Sequence, residues 1–477
     1  MRKKINILLL FLLSSVLPIL SVAQTLRTVG GDVKDYKRSS LYLILLDDPE
    51  WKGNPKADII RETFAQTPLP DKFNDHNLDI RSINPSAFLP VSDEFVTQVT
   101  GKPYKRQEYT PGVVEYFDKI SKESGTARMV DTLRREEIPA MVAKHFESDN
   151  TSLQILGKWF NLKDAFDEET QSHFDVELVK ERGLYGATQE QITEADKHAR
   201  GRQMLGDLGE DLISKTFVVA LRMIFCSKED MAKQAQALAG SVMGGLLGKD
   251  TTSATYGFLS QLATNTSTTL MKGYVVETLA YLYQLEWNDE TSLNFYKNYY
   301  NLKDLSTFRE SKDFHLKYLG TERELAQVSA NVYSFQNDEN MLKRATVRAM
   351  DEVIAKLQKR FEPFRTTTPL YTAEGDNISA KIGMKEGLKG GEKFEVLEET
   401  FDPETLKSTF KRVAVIKVDK QRVWDNRFGA DEDRTFLAAH PEEATKEKKK
   451  ASYEGTATYF TGGNKKIYPG MFIRQID

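Results

Sequence analysis

The stretch Gly244-Gly245-Leu246-Leu247-Gly248-Lys249-Asp250-Thr251 comes closest to a chemical motif. A phosphate-cradling loop would need a first glycine where Met243 stands and a hydroxyl residue where Asp250 stands. A carboxylate there would repel phosphate, so the stretch reads as a helix end. The six histidines, His76, His145, His173, His198, His315 and His440, are too scattered for any two to form a helical pair of metal ligands. No GxSxG elbow marks a serine nucleophile. The one cysteine excludes an intramolecular disulfide and a cysteine-based zinc site. Cys226 ends an apolar strand, the setting of a buried, inert thiol. The expectation is a non-enzyme with no cofactor, no metal and no catalytic residues. A carboxylate pair that converges only in space is a competing reading, because 70 acidic residues could conceal one.

Three features point to contact instead of catalysis. Gly240-x-x-x-Gly244-x-x-x-Gly248 would let two helices approach closely, and these glycines are the candidate self-association residues. The aromatic run Tyr281, Tyr283, Trp287, Phe295, Tyr296, Tyr299 and Tyr300 could stack on sugars or a peptide. Its spacing fits first a strand face and then a helix, which favours core packing. Asp131-Thr132-Leu133 and Asp250-Thr251-Thr252 resemble the short O-glycosylation pattern of the Bacteroides group, making Thr132 and Thr251 candidate acceptors.

These residues need a scaffold. Leu41–Leu46, closed by Asp47-Asp48-Pro49, is a continuous apolar run, the pattern of a strand buried on both faces. Ile60 and Phe64 share a helix face. Thr110-Pro111 opens a helix carrying Val113, Val114, Phe117 and Ile120, and Pro139–Phe146 is amphipathic. Phe174–Val179 fits a strand or a short helix. Thr188-x-x-Gln191 is a capping box at the head of a helix with apolar positions to Leu212. Phe217–Phe225 and Tyr274–Trp287 are strong strands, the second with Val275, Leu279, Tyr281, Tyr283, Leu285 and Trp287 on one face. Between them, residues 227–272 read as an inserted helical hairpin. Leu342, Ala345, Ala349, Val353, Leu357 and Phe361 make one helical stripe, which Pro363 stops. Beyond Thr366, short strands separated by Gly390-Gly391, Asp402-Pro403 and Gly462-Gly463 predict a small all-β domain. Its expected core is Phe394, Val396, Val413, Val415, Phe472 and Ile476. Asp431–Lys450 is expected to be a charged loop whose deletion changes stability little.

Ile382-Gly383-Met384-Lys385-Glu386-Gly387-Leu388-Lys389-Gly390-Gly391-Glu392-Lys393-Phe394-Glu395-Val396 resembles the hairpin of the SH3-like barrel that follows CsgG-type and FlgT-type envelope domains. Val413–Val418 and Pro469–Arg474 stand where that family has its next strand and its closing strand. Leu41–Asp47, Phe174–Gln191 and Ala199–Ile224 are looser counterparts upstream. There is no lipid-anchoring cysteine, and 227–272 has no counterpart. The chain also resembles uncharacterised secreted proteins of the Bacteroides group. The resemblance implies an α+β chain: a signal peptide over 1–23, an α/β CsgG/TolB-N-like domain over 24–362 with the insertion, and an SH3-like β-barrel over 366–477.

Composition agrees with that outline. Hydrophobic residues are 40% and charged residues 29% of 477, which excludes a wholly disordered chain, a collagen and a polytopic membrane protein. A net charge of −4 gives no global basic face for nucleic acid. Arg2, Lys3 and Lys4, an uncharged run, and Ser21-Val22-Ala23 before Gln24 have the form of a cleaved secretory signal. The expected product is a secreted, non-enzymatic, oligomeric cell-envelope protein. It would sit in the periplasm or on the periplasmic side of the outer membrane, as an interaction or assembly module for other envelope proteins or itself. Membrane contact would be peripheral at most. The alternative is a glycan- or peptidoglycan-binding periplasmic protein.

Overall fold

The computed structural model describes residues 39–48, 51, 53–70, 72–84, 90–106, 115, 119, 134–162, 174–186, 193, 195–197, 209–230, 273–302, 305–329, 337–375, 377–402, 408–439, 453–463 and 466–476. In chain order the first unit runs β1 (Ser39–Leu46), α1 (Pro55–Gln66), β2 (Phe73–Asp75), β3 (Ser82–Ile83), α2 (Asp93–Thr100), α3 (Ile138–Ser148), α4 (Thr151–Trp159), α5 (Val176–Gly186), β4 (Thr216–Ser227), β5 (Gly273–Leu285), α6 (Asp289–Asn298), α7 (Ser306–Arg309), β6 (Leu316–Ser329) and α8 (Asp338–Arg360). The second runs β7 (Thr368–Pro369), β8 (Thr372–Glu374), β9 (Asn377–Ala380), β10 (Lys393–Phe401), β11 (Ser408–Val418), α9 (Ala430–Ala439), β12 (Thr458–Gly462) and β13 (Phe472–Ile476).

The first sheet has the order β2-β1-β4-β5-β6, with β3 also on β1. β1 runs parallel to β2, β3 and β4, and β4-β5-β6 is an antiparallel meander. Helices cover both faces, which is why β1 is a continuous hydrophobic run from Leu41 to Leu46. Leu41, Leu43, Leu45, Val219, Leu221 and Met223 face α1 and α8, while Tyr42, Ile44, Val218, Ala220, Leu279, Tyr281 and Tyr283 face α3, α4 and α6. β4 and β5 pair in register from Phe217↔Gln284 to Ser227↔Tyr274, so the expected insertion starts at the end of one long hairpin. Phe174–Val179 resolves as helix, since Val176 begins α5.

α8 is the longest helix among the described residues. Asn337 caps it by accepting from Asn340 N at 2.8 Å, with Asp338 and Glu339 in the first turn and Lys359 and Arg360 in the last, matching the helix dipole. Of its expected stripe, Leu342, Ala345, Ala349, Val353 and Leu357 are fully buried on the sheet, while Phe361 is the C-cap and only partly buried against the same cluster.

The second sheet is antiparallel throughout, in the order β7-β13-β10-β11-β12-β9-β8. Its two outermost strands are separated by only Leu370 and Tyr371. Leu370 N donates to Met471 O at 2.8 Å and Tyr371 N to Ser379 O at 2.7 Å. One short segment therefore stitches both edges, and the sheet curls into a half-barrel.

Two expectations about this unit are corrected. Phe394 and Val396 are buried, but Val415 is exposed, and Ile416 and Val418 point inward. Phe394 pairs with Ile416, so the C-terminal half of β11 has the opposite phase to the one expected, while a bulge opposite Val396/Leu397 leaves Val413 packed against the core. Val413 and Ile476 are only partly buried. The supposed loop 431–450 begins as helix α9, which is docked on α8. The run 444–451 lies outside the described residues.

Candidate functional site

A second stripe runs along α8. Arg344, Arg348, Asp351, Ala355 and Gln358 follow at helical spacing and face the half-barrel, opposite the apolar stripe. At its N-terminal end Arg344 is 2% exposed. Its Nη1 donates to Asp433 Oδ1 at 2.6 Å and to Gly429 O at 3.2 Å, and its Nη2 to Glu432. Arg348 Nη2 donates to Asp433 Oδ2 at 3.3 Å and to Phe428 O at 3.1 Å. One carboxylate thus bridges two arginines, and the chain turns over them at Gly429. That glycine has φ +78°, and a Cβ there would stand 2.4 Å from Arg344 Cζ. Only glycine fits both the turn and the close approach.

Midway, Asp351 lies under the short 3₁₀ turn Met384–Glu386, with Lys385 Nζ at 3.8 Å. That is ion-pair range without a hydrogen bond. Burial pushes the Asp351 carboxyl up to about 7; Lys385 and Arg348 oppose the shift, and Glu386 and Glu352 add to it. Burial also raises Glu352.

Where α8 ends, a small, open cleft lies between the helix and the half-barrel. Ile382, Leu388, Phe394 and Ile473 form an apolar floor. Lys72, Lys359 and Arg365 stand at the rim with Gln358, Thr366 and Gln475. Glu386 also lines it, but its Oε2 already accepts from Gly383 N at 2.6 Å and Asn426 Nδ2 at 2.9 Å.

The other face of the first sheet carries buried ion pairs near the C-terminal end of β1. Arg222 Nη2 lies 2.7 Å from Asp48, both almost fully buried. Glu277, 1% exposed, takes Arg135 at 3.1 Å and Arg323. Removing one member of such a pair is costly, and each carboxylate is held by a guanidinium.

Among the sequence candidates, Gly240, Gly244, Gly248, Thr132 and Thr251 lie outside the described residues, as does the leader over 1–23. The aromatic run is core: Tyr281, Tyr283 and Phe295 are fully buried, Trp287 and Tyr299 nearly so, and Tyr296 and Tyr300 pack against the same cluster. Phe295 stacks on Phe160 at 4.7 Å, and Trp287 meets it edge-on at 5.4 Å. His76 is buried on Trp159, its Nε2 3.1 Å from Ile155 O, and burial pushes it down to about 3. Cys226 is only partly buried, at the edge of the cluster around Val275, and not the fully buried residue expected; desolvation of its thiol still pushes it up to about 12, far from a reactive thiolate. Among the described residues no three His, Cys, Asp or Glu side chains converge as metal ligands, and no helix is long and apolar enough to cross a membrane.

Sequence reasoning missed the stripe on α8 and the cleft. The stripe has a signal, because Arg344, Arg348, Asp351 and Gln358 keep helical period opposite the apolar positions. The cleft has none, since its lining is drawn from four distant segments. No protein-family model matches the chain, and no curated protein matches it.

Proposed function

We propose that this chain is a secreted, non-catalytic protein of the cell envelope, acting in the periplasm or on the periplasmic side of the outer membrane as an interaction or assembly module. The observation that carries the reading is the two-sided burial of α8. One face packs on the first sheet, and the other is clamped by Asp433 through Arg344 and Arg348. Two units locked through one helix hold their outer surfaces in fixed relation, as a docking module needs and a hinged enzyme does not.

The half-barrel is read as an SH3-like barrel on the Ile382–Val396 hairpin and the closing strand β13. With the α/β unit before it, this supports a CsgG/FlgT-like organisation. The leader supports export. The glycan-binding alternative loses its main feature, because the aromatic platform it needs is core. The arginine-held carboxylates Asp48 and Glu277 speak against an acid–base pair.

Crosslinking in the native envelope tests the reading, followed by identification of the crosslinked proteins and N-terminal sequencing of the mature chain. A chain beginning at Gln24 and joined to envelope proteins or to itself is expected. Retention of Met1, or a chain recovered only from the cytoplasm, refutes it.

A further inference from the structure

β6 is an open edge of the first sheet. It is 14 residues long and pairs on one side only, with β5. The opposite edge is made by β2 and β3, three and two residues long, too short to template another strand. Leu325 N donates to the neighbouring Glu324 Oε1 at 3.1 Å, so that N–H lies outside the ladder with β5. Strand alternation then turns the backbone groups of Thr321, Arg323, Leu325 and Gln327 outward. Among the described residues no backbone beyond β5 meets these four. Such an edge is a ready template for an added strand.

Two of the outward groups are filled by side chains. Lys356 Nζ reaches over from α8, donates to Arg323 O at 3.0 Å and pairs with Glu324 Oε2. Glu324 Oε1 takes the Leu325 N–H. An added antiparallel strand would offer an N–H to Arg323 O and a carbonyl to Leu325 N. The ammonium and the carboxylate therefore stand where that strand's two groups would be. Helix and strand periods match here, because Lys356 and Arg360 are one turn apart on α8, and Glu324 and Glu322 share one face of β6. Arg360 Nη1 donates to Glu322 Oε1 at 2.5 Å and makes no bond to the backbone of β6.

We propose that the Lys356–Glu324 pair is an autoinhibitory contact that closes this strand-accepting edge against β6 of a second copy. The register that fits is antiparallel about a two-fold axis at Leu325. It sets Leu325 on Leu325 and Arg323 opposite Gln327, with Glu324 opposite Ala326 on the other face, and it opposes no like charges. An axis at Arg323 would set that arginine on itself and Glu322 opposite Glu324. The contact operates in the isolated chain, so it stands or falls apart from the envelope reading.

The test compares the full chain with Lys356→Ala/Glu324→Ala by light scattering across a dilution series. The double variant loses one charge of each sign, so its net charge is unchanged. It is expected to associate one step beyond the wild-type state, at least about tenfold more tightly than any such step in the wild type. Lys356→Ala alone frees only Arg323 O and should act in the same direction but less. Lys356 is half exposed and its loss leaves the fold, checked by circular dichroism, intact. Adding Gln327→Pro to the double variant removes an outward N–H at an exposed position and spares the ladder with β5, so it should restore the wild-type state. Arg360→Ala breaks the neighbouring pair without freeing backbone and should behave as wild type. Unchanged association in the double variant overturns the proposal, as does association that Gln327→Pro leaves in place or that Arg360→Ala produces equally.

Discussion

Asp433→Ala is the sharpest test of how the half-barrel is held. Asp433 is 18% exposed and is the one carboxylate shared by Arg344 and Arg348, at 2.6 and 3.3 Å. Arg344 is 2% exposed and cannot turn to water. Stripping a partner from a buried ion pair costs roughly 3–5 kcal/mol. Here Arg344 keeps Gly429 O and Glu432, and Asp433 is not wholly buried, which brings the expected loss to about 2–3 kcal/mol. Glu432 is 69% exposed, and Glu432→Ala should cost less than about 1 kcal/mol. The measurement is urea unfolding of the full chain, with the loss read from the midpoint at constant slope. The same geometry reverses the expectation that Asp431–Lys450 can be deleted cheaply: the deletion removes both carboxylates and must cost at least as much as Asp433→Ala. An Asp433→Ala protein within about 0.5 kcal/mol of wild type, or a larger loss from Glu432→Ala, would refute the clasp.

The remaining predictions concern the junction and the thiol. Asp351 has its carboxyl raised by burial to about 7 in the folded state, above its ordinary value, so its stabilising contribution is present at low pH and lost as pH rises through about 7. Stability should fall between about pH 4 and 7, by up to about 1.4 kcal/mol per pH unit, and level off above; Asp351→Asn should flatten that slope in urea titrations at several pH values. Gly429→Ala should lower the melting temperature as much as Asp433→Ala does, because the added methyl meets Arg344 and the positive φ is strained; an unchanged melt would show that the turn relaxes freely. Cys226 should resist iodoacetamide at pH 8 in the native chain and react once unfolded, since its thiol is pushed up to about 12; rapid native labelling would contradict that environment.

Burial on both faces writes itself plainly into a sequence, and β1, β4, β5 and the apolar stripe of α8 could be read for that reason. β7 and β8, two and three residues long, have too few positions to show a period. In β11 both Val413-Val415 and Ile416-Val418 are plausible inward sets, and pairing with β10 decides between them. The charged face of α8 is harder for a different reason. Composition cannot distinguish a face that meets water from one that meets an opposite charge on another segment. The clue lies in two places together: Arg344 and Arg348 on one helix, and Asp431-Glu432-Asp433 some eighty residues later. Even that acidic triplet has a second explanation, because acidic residues belong in the first turn of α9 on dipole grounds alone. Only placement separates the two uses. Asp431 is exposed and pairs within its own helix with Arg434, whereas Asp433 reaches across to α8. A polar stripe on a long helix that ends where the chain changes from α/β to all-β is therefore better read as a junction awaiting its counter-charge than as a solvated surface.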